Sequence, residues 1–377
     1  MKFGRAKNFD INFNHRCSDL SLFLQFNDFA SEIADVSHVN AANVYGLMDS
    51  FSSTITSFAL SSDSEWPYVT VPHFEVRGQK FFNVSSAQLL SFAPVVYDVE
   101  AWNAYSVQNQ GWIQESYDLR GDDAIPDPIP TEVYRFDEER NTVVVNDHSE
   151  YAPLWQEASA PSNTATINAD LYSHDIFHKV FDFARQTQSA ILSAVFDPSD
   201  LLGEEALYQT GDGIFHPESI LVQNIYDSFD ASTRMVVGAL IAVIPWDLYF
   251  EGLLHEGANG LICVLRDTCG DEFTYRLDGP HATYVGEGDL HDRRYDDLEF
   301  YTEFAPFVDF SDADNDAIDA HCEYSLHIFP SLELEEAYHS KKPFLFTVAV
   351  VLVFFFTSLI FMVYDFLVSV PLFYYEE

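Results

Sequence analysis

The longest periodic pattern in the chain runs from about Ser18 to Leu60. Phe26, Phe29, Ile33, Val36, Val44, Leu47, Phe51, Ile55 and Phe58 recur at three- and four-residue steps, with one polar intrusion at Asn40. That spacing predicts one long amphipathic helix over residues 18–62, closed by Ser61-Ser62-Asp63-Ser64. Its apolar stripe has two readings. It packs on the domain that follows, or it also pairs with a second copy of itself, giving a homodimer through a stalk helix.

The texture then changes. Between residues 63 and 152, short apolar runs predict strands at Tyr68–Val71, Pro94–Tyr97 and Thr142–Val145. Trp102, Tyr105 and Trp112 keep a helical spacing between them, and the segment from Gly121 to Pro130 is too rich in proline for a core element. A second module, residues 153–294, opens with a loop and a helix near Ser173 to Phe196. Strand runs follow at Ser219–Val222, Met235–Ile244, Leu261–Leu265 and Glu272–Leu277, with Asp267–Asp271 as a hairpin turn between the last two. Residues 295–342 read as an acidic connector with a strand at Tyr324–Phe329. Helices beside antiparallel strands give an α+β fold class.

Pro343 to Tyr364 contain no charged residue. As a helix they extend roughly 33 Å, enough for the ~30 Å hydrocarbon layer of a bilayer. Residues 343–364 therefore read as a transmembrane helix, residues 365–377 as a short tail and residues 1–17 as an unstructured N-terminus without a signal-peptide apolar run. Lys341 and Lys342 precede the span, and only Asp365, Glu376 and Glu377 are charged after it, which favours a cytoplasmic N-terminal part.

Composition now adds a boundary. The 377 residues carry 60 Asp+Glu against 18 Lys+Arg, a formal net charge of −42, while 47% are hydrophobic and 34 are Phe. The apolar content supports folded cores in spite of the charge. The acidity excludes nucleic acid as a partner and disfavours lying flat on an anionic lipid surface.

Candidate chemistry is sparse. Cys269 lies at the predicted turn and Cys322 in the connector, so a bridge would tie the second module to the segment feeding the span; free buried thiols are the other reading. Asp312, Asp314, Asp316 and Glu323 match part of a calcium loop, but Ala317 stands where the turn needs glycine. His281, His291 and Asp289 could ligate a metal, or simply line a solvated loop. Gly286-Glu287-Gly288 lacks the strand and helix of a nucleotide loop. No nucleophile elbow, metalloprotease or phosphate-loop motif is present, so the expectation is a non-enzymatic chain with no cofactor. Asn83-Val84-Ser85 is a glycosylation sequon. Aromatic residues often line small-molecule pockets, and Trp66, Pro94, Trp102, Tyr105 and Trp112 are the candidate ligand-binding set.

Several phrases carry a family resemblance. They are PLWQ at Pro153–Gln156, HPESILVQ at His216–Gln223, VIPWDLYFEGLLHEGANG at Val243–Gly260, DTCGDEFTYRLDGP at Asp267–Pro280, GEGDLHD at Gly286–Asp292 and HCEYSLHIFPSLELEEAY at His321–Tyr338. Together they resemble the sensor region of diatom-type receptor guanylyl/adenylyl cyclases, similar in plan to CHASE-type double-PAS ectodomains. The resemblance implies a stalk helix, a membrane-distal and a membrane-proximal PAS-like module, a transmembrane helix and an unknown small-molecule ligand. It also favours an extracellular N-terminal domain and a Cys269–Cys322 disulfide. The family's preceding membrane helix, basic segment and cyclase domain have no counterpart in these residues. The expectation is a non-catalytic receptor region; the alternative is a tail-anchored acidic interaction protein with a cytosolic domain.

Overall fold

The computed structural model describes residues 16–120, 129–137, 141–145, 149–159, 166–196, 216–304, 322–338 and 342–373. It begins with α1, Arg16–Ser61, a helix of 46 residues. At 1.5 Å per residue that is roughly 69 Å, long enough to run past two sheets. Phe26, Ile33, Met48 and Ile55 are fully buried along it, so the periodic stripe is the face that packs inward. Two buried hydroxyls on the same face reach the first sheet: Ser52 Oγ donates to the Asn224 carbonyl at 2.7 Å and Thr56 Oγ1 to that of Tyr226 at 2.8 Å.

Five strands make that first sheet: β1 (Leu89–Pro94), β4 (Gln156–Ser159), β5 (Ile191–Leu192), β6 (Glu218–Tyr226) and β7 (Val236–Pro245). Their order is β4-β1-β7-β6-β5, and every pairing is antiparallel. A small separate hairpin joins β2 (Tyr134–Phe136) to β3 (Thr142–Val144). Both faces of the large sheet are covered. Leu90 and Phe92 of β1 join one hydrophobic cluster while Leu89 and Ala93 join the other, and Leu240/Ala242 and Ala239/Ile241 of β7 divide in the same way. Burial on both sides is why these strands are apolar without a polar alternation. On one face lies α5, Asp175–Thr187, through Phe177, Val180, Phe181 and Ala184. The other face meets α1, α2 (Phe74–Ser85), α3 (Val99–Gln108) and α4 (Gly111–Arg120).

The short helix α6, Trp246–Phe250, leads into the second sheet. This sheet holds β8 (Asn259–Asp267), β9 (Glu272–Asp278), β10 (His281–Glu287), β11 (Phe300–Phe304) and β12 (Tyr324–Pro330) in the order β10-β9-β8-β12-β11. Leu261, Cys263 and Leu265 with Leu326 and Ile328 point into the shared core. A 3-10 turn, Arg293–Leu298, precedes β11, and α7 (Leu332–Tyr338) follows β12. Last comes α8, Lys342–Phe373, in which Val348–Asp365 has a mean hydropathy of 2.3 and no buried residue. Among the described residues it is one helix long and apolar enough to cross a membrane.

The architecture is α+β with antiparallel sheets, a long N-terminal helix and an apolar C-terminal helix. Several boundaries differ from expectation. The first sheet takes β1 from residues 63–152 and β4 to β7 from residues 153–294, so a division at residue 153 does not follow the sheets. Strand pairing is long-range, and local periodicity carries no record of it. Residues 295–342 are more than a connector, because β11 and β12 complete the second sheet and α7 packs after it. Tyr68–Val71 forms no strand: the side chain of Gln156 takes the place of a strand neighbour, accepting from Val71 N–H at 2.6 Å and donating to the Val71 carbonyl at 2.9 Å. The helix expected to reach Phe196 stops at Thr187, where Gln188 turns left-handed at φ 53° before β5.

Candidate functional site

Strand β1 and helices α3 and α4 bring tryptophans to one place. Asp98 caps α3 by accepting from Ala101 N–H at 3.0 Å, which fixes the helix entry. Trp102, one turn in, is fully buried, and Trp112 at the start of α4 is 8% exposed. Both lie against Trp155, whose main-chain N–H donates to the Phe92 carbonyl of β1 at 2.8 Å. Ring centroids are 5.3 Å apart for Trp102–Trp155, 5.9 Å for Trp112–Trp155 and 5.9 Å for Tyr105–Trp155. The two tryptophan pairs are edge-to-face, the arrangement the ring quadrupoles favour. Tyr68 closes the side of the nest at 5.3 Å from Tyr105.

Three indole N–H groups enter this nest, and two of them are satisfied. Trp102 Nε1 donates to Asn168 Oδ1 at 3.1 Å, and Trp155 Nε1 donates to Thr70 Oγ1 at 3.0 Å. Thr70 in turn shares a 2.6 Å hydrogen bond with the Tyr105 hydroxyl. Burial raises the Tyr105 pKa, with the Thr70 hydrogen bond opposing it, so the phenol stays protonated at neutral pH. Asn168 is a hub: its Nδ2 donates to Ser106 Oγ and to the Pro130 carbonyl, each at 3.0 Å. Its φ of 65° lies in the left-handed region, which asparagine tolerates better than most residues. Trp112 Nε1 is buried and finds no acceptor among the described residues. An unmade hydrogen bond of this kind costs about 1–3 kcal/mol.

Of the five aromatic and proline positions singled out in the sequence, Trp102, Tyr105 and Trp112 thus converge on Trp155. Trp66 instead meets Phe92, edge-on at 6.3 Å. Pro94 ends β1 opposite Gly238. Trp155, Thr70 and Asn168 are the residues sequence reading missed. Trp155 stood in the sequence only as part of the PLWQ phrase and Thr70 only inside an expected strand, and Asn168 lies in an irregular segment with no motif around it.

At the second sheet, Cys269 and Cys322 are joined in a disulfide with their Cα atoms 5.6 Å apart. It fastens the β8–β9 turn to the start of β12. Asp267 Oδ1 accepts from the N–H groups of Gly270 and Asp271, each at 2.9 Å, and shapes that turn. A carboxylate oxygen of Asp267 and the two sulfurs lie within 4.8 Å of one another, but joined sulfurs are not thiolate ligands. Cys263 is a free thiol, and burial pushes its pKa up to about 12, away from reactivity.

His281 and His291 have separate partners: His281 lies 3.5 Å from Glu251 and His291 sits between Asp289 and Asp296. Gly286, with φ of 152°, follows a register shift within β10 after Tyr284, and Gly288, with φ of 82°, lies just past the end of that strand. Asn83 lies near the end of α2. Asp312, Asp314 and Asp316 fall outside the described residues. No protein-family profile matches the chain, and no curated protein matches it.

Proposed function

We propose that this chain is the sensing region of a single-pass membrane receptor, with two PAS-like modules on the outer side of the bilayer and the aromatic nest as the ligand site. The observation that carries the ligand reading is the buried, unpaired N–H of Trp112 among satisfied neighbours. A small ligand with an apolar body and one hydrogen-bond acceptor would pair that group and recover its desolvation cost. The outer location is supported by the Cys269–Cys322 disulfide, since such bonds persist in oxidising compartments. Charge runs the other way: Lys341 and Lys342 favour a tail-anchored protein with a cytosolic domain.

In this reading the signal passes towards the membrane helix through the joint between the sheets. Trp246 Nε1 donates to Ser219 Oγ at 3.0 Å, Ser219 Oγ lies 3.0 Å from the Tyr324 hydroxyl, and that hydroxyl donates to the Ser193 carbonyl at 2.6 Å. Tyr324 opens β12, which leads through α7 to α8. A ligand that favours one arrangement of the first sheet would bias this joint by its difference in affinity for the two arrangements.

The test is thermal-shift screening of the full chain in detergent with amino acids, purines and aromatic carboxylates. A stabilising compound whose shift vanishes in Trp112→Phe, which keeps an aromatic ring but removes the N–H, supports the nest. No shift with any compound, or a shift that survives both Trp112→Phe and Trp102→Ala, removes it. Glycosylation of Asn83 in cells decides the topology independently: an unmodified Asn83 together with free Cys269 and Cys322 would establish the cytosolic reading.

A further inference from the structure

The turn that carries the disulfide has main-chain fastenings of its own. Asp267 N–H donates to the Asp271 carbonyl at 3.0 Å and closes the β8–β9 turn, and Thr268 N–H donates to the Glu323 carbonyl at 3.0 Å. In return, Glu323 N–H donates to Thr268 Oγ1 at 3.0 Å. Tyr324, two residues past Cys322, is the partner of Asp267 in the β8–β12 ladder. These bonds keep Cys269 beside Cys322 whether or not the two sulfurs are joined.

The third group at this place is the Asp267 carboxylate, and its two oxygens differ. Oδ1 accepts from the N–H groups of Gly270 and Asp271, which fix its orientation. Oδ2 is shielded from solvent and meets no donor among the described residues. A carboxylate oxygen and the two sulfurs lie within 4.8 Å of one another. The ligands of a tetrahedral zinc ion, at Zn–S about 2.3 Å and Zn–O about 2.0–2.2 Å, stand roughly 3.5–4 Å apart. Small side-chain shifts therefore separate the observed cluster from a ligand set. Access is from the solvent side: Cys322 is buried, but Cys269 is exposed. Beside the turn opens a cavity of about 410 Å³ lined by Gly270 and the carboxylates of Asp271, Glu272 and Glu287. Glu272 is paired with Arg266 at 2.8 Å, and the cavity's acidity draws cations towards the cluster.

We propose that Asp267, Cys269 and Cys322 form a redox-gated zinc site, which replaces the disulfide as the staple between the β8–β9 turn and β12 when that bond is reduced. The reductant is a thiol. Its thiolate attacks the exposed Cys269 sulfur, Cys322 leaves as a thiolate, and a second reductant thiol releases Cys269. Two electrons pass to the cysteine pair, and the two reductant thiols end as a disulfide. Zinc then binds both cysteine sulfurs and Asp267 Oδ2, the two thiol protons pass to water, and a water molecule completes the tetrahedron. Thiolate ligands select zinc over calcium and magnesium, which take oxygen. The staple then persists on either side of a bilayer, so the site depends neither on the ligand reading of the aromatic nest nor on topology.

Cobalt, which takes the same tetrahedral site and is coloured, gives the test. The full chain in nanodiscs, carrying Cys17→Ser, is reduced with dithiothreitol, desalted under argon and titrated with cobalt and then zinc. The reduced chain should bind a single cobalt ion and show the sulfur-to-cobalt charge-transfer band. Zinc should displace the cobalt and raise the unfolding midpoint of the reduced chain. The oxidised chain should show no band. Cys322→Ser should lose it, and Asp267→Asn should weaken binding by more than about tenfold, since even groups behind the ligands are worth that much. Asp271→Asn, which removes a neighbouring charge but no ligand, should bind as its parent does. A reduced chain without the band, a band in the oxidised chain, or an affinity unchanged by Asp267→Asn would overturn the proposal, as would an equal loss in Asp271→Asn. If reduced Cys322→Ser does not fold, Asp267→Asn decides alone, because its amide oxygen keeps both turn contacts.

Discussion

The ring of Phe29, in the first half of α1, meets that of Tyr338, the last residue of α7, at 6.5 Å and 61°. Tyr338 lies just before Lys342, where α8 starts, so the first half of α1 and the entry to the apolar helix share one end of the molecule. The neighbouring contacts agree: His255 lies 3.0 Å from Glu32, and the Tyr249 hydroxyl donates to the Ser37 carbonyl at 2.6 Å. An edge-to-face aromatic pair contributes about 0.5–1.5 kcal/mol beyond burial. A double-mutant cycle with Phe29→Leu and Tyr338→Leu, read by chemical denaturation, should return a coupling of about 1 kcal/mol. Additive effects would mean that α1 and α7 are held together by other residues.

Much of this arrangement was legible in the sequence, and the illegible part has a physical cause. The stripe from Phe26 to Phe58 announced α1 because a helix writes its period locally. The turn at Asp267–Asp271 announced β8 and β9 for the same reason. The run at β10 escaped notice because, as an edge strand, its burial alternates only between half-buried and exposed and it needs few apolar residues. Trp102, Tyr105 and Trp112 were legible as a cluster through their helical spacing. Their convergence on Trp155 was not, because it depends on the main-chain bond between Trp155 and Phe92 across the sheet.

Two glycines separate a crowded helix face from an open one. A Cβ on Gly78 of α2 would lie 2.2 Å from the Cβ of Ala158 in β4, whereas one on Gly46 of α1 would meet nothing within 4 Å. Gly78→Ala must push α2 off the sheet and should cost about 1–3 kcal/mol. Gly46→Ala gains helix propensity and should stabilise by about 0.5–1 kcal/mol. Both follow from unfolding midpoints. If Gly46→Ala destabilises instead, that face of α1 is covered by a second copy of the chain.

Closing the segment between Cys269 and Cys322, 53 residues apart in sequence, restricts the unfolded chain strongly. The chain-entropy relation gives about 4 kcal/mol for a loop of that size, and measured values usually fall within 2–5 kcal/mol. Cys322→Ala should therefore lower the unfolding midpoint in the absence of reductant. With reductant present, wild type and variant should converge. Equal midpoints without reductant would mean that the bridge does not form in the expressed protein.

Burial holds His327 below the ordinary histidine range, with the Glu299 hydrogen bond opposing the shift. The folded chain therefore binds fewer protons at this site than the unfolded chain once pH falls below about 6.5. Stability must decline with acid through that window and recover above it. His327→Gln should flatten this contribution between pH 5 and 7 in a denaturation series. An unchanged acid slope would assign the loss to another group.

Gln156 offers the sharpest reading of a single side chain, because it is fully buried and supplies both hydrogen bonds of the Val71 main chain. Gln156→Leu leaves a buried N–H and a buried carbonyl unpaired, so the loss should be about 2–5 kcal/mol. Gln156→Glu separates geometry from charge. Its carboxylate can accept from the Val71 N–H but cannot donate to the carbonyl, and its charge is buried; the protonated carboxyl does both and is neutral. Burial raises the introduced carboxyl's pKa in the folded state above its unfolded value. The stability it contributes is then present at low pH and lost as pH rises through the folded value. Gln156→Glu should be close to wild type near pH 4 and fall progressively below it towards pH 8, while Gln156→Leu stays uniformly low. If the two variants keep the same offset at every pH, the Val71 contact is not what fixes this segment against β4.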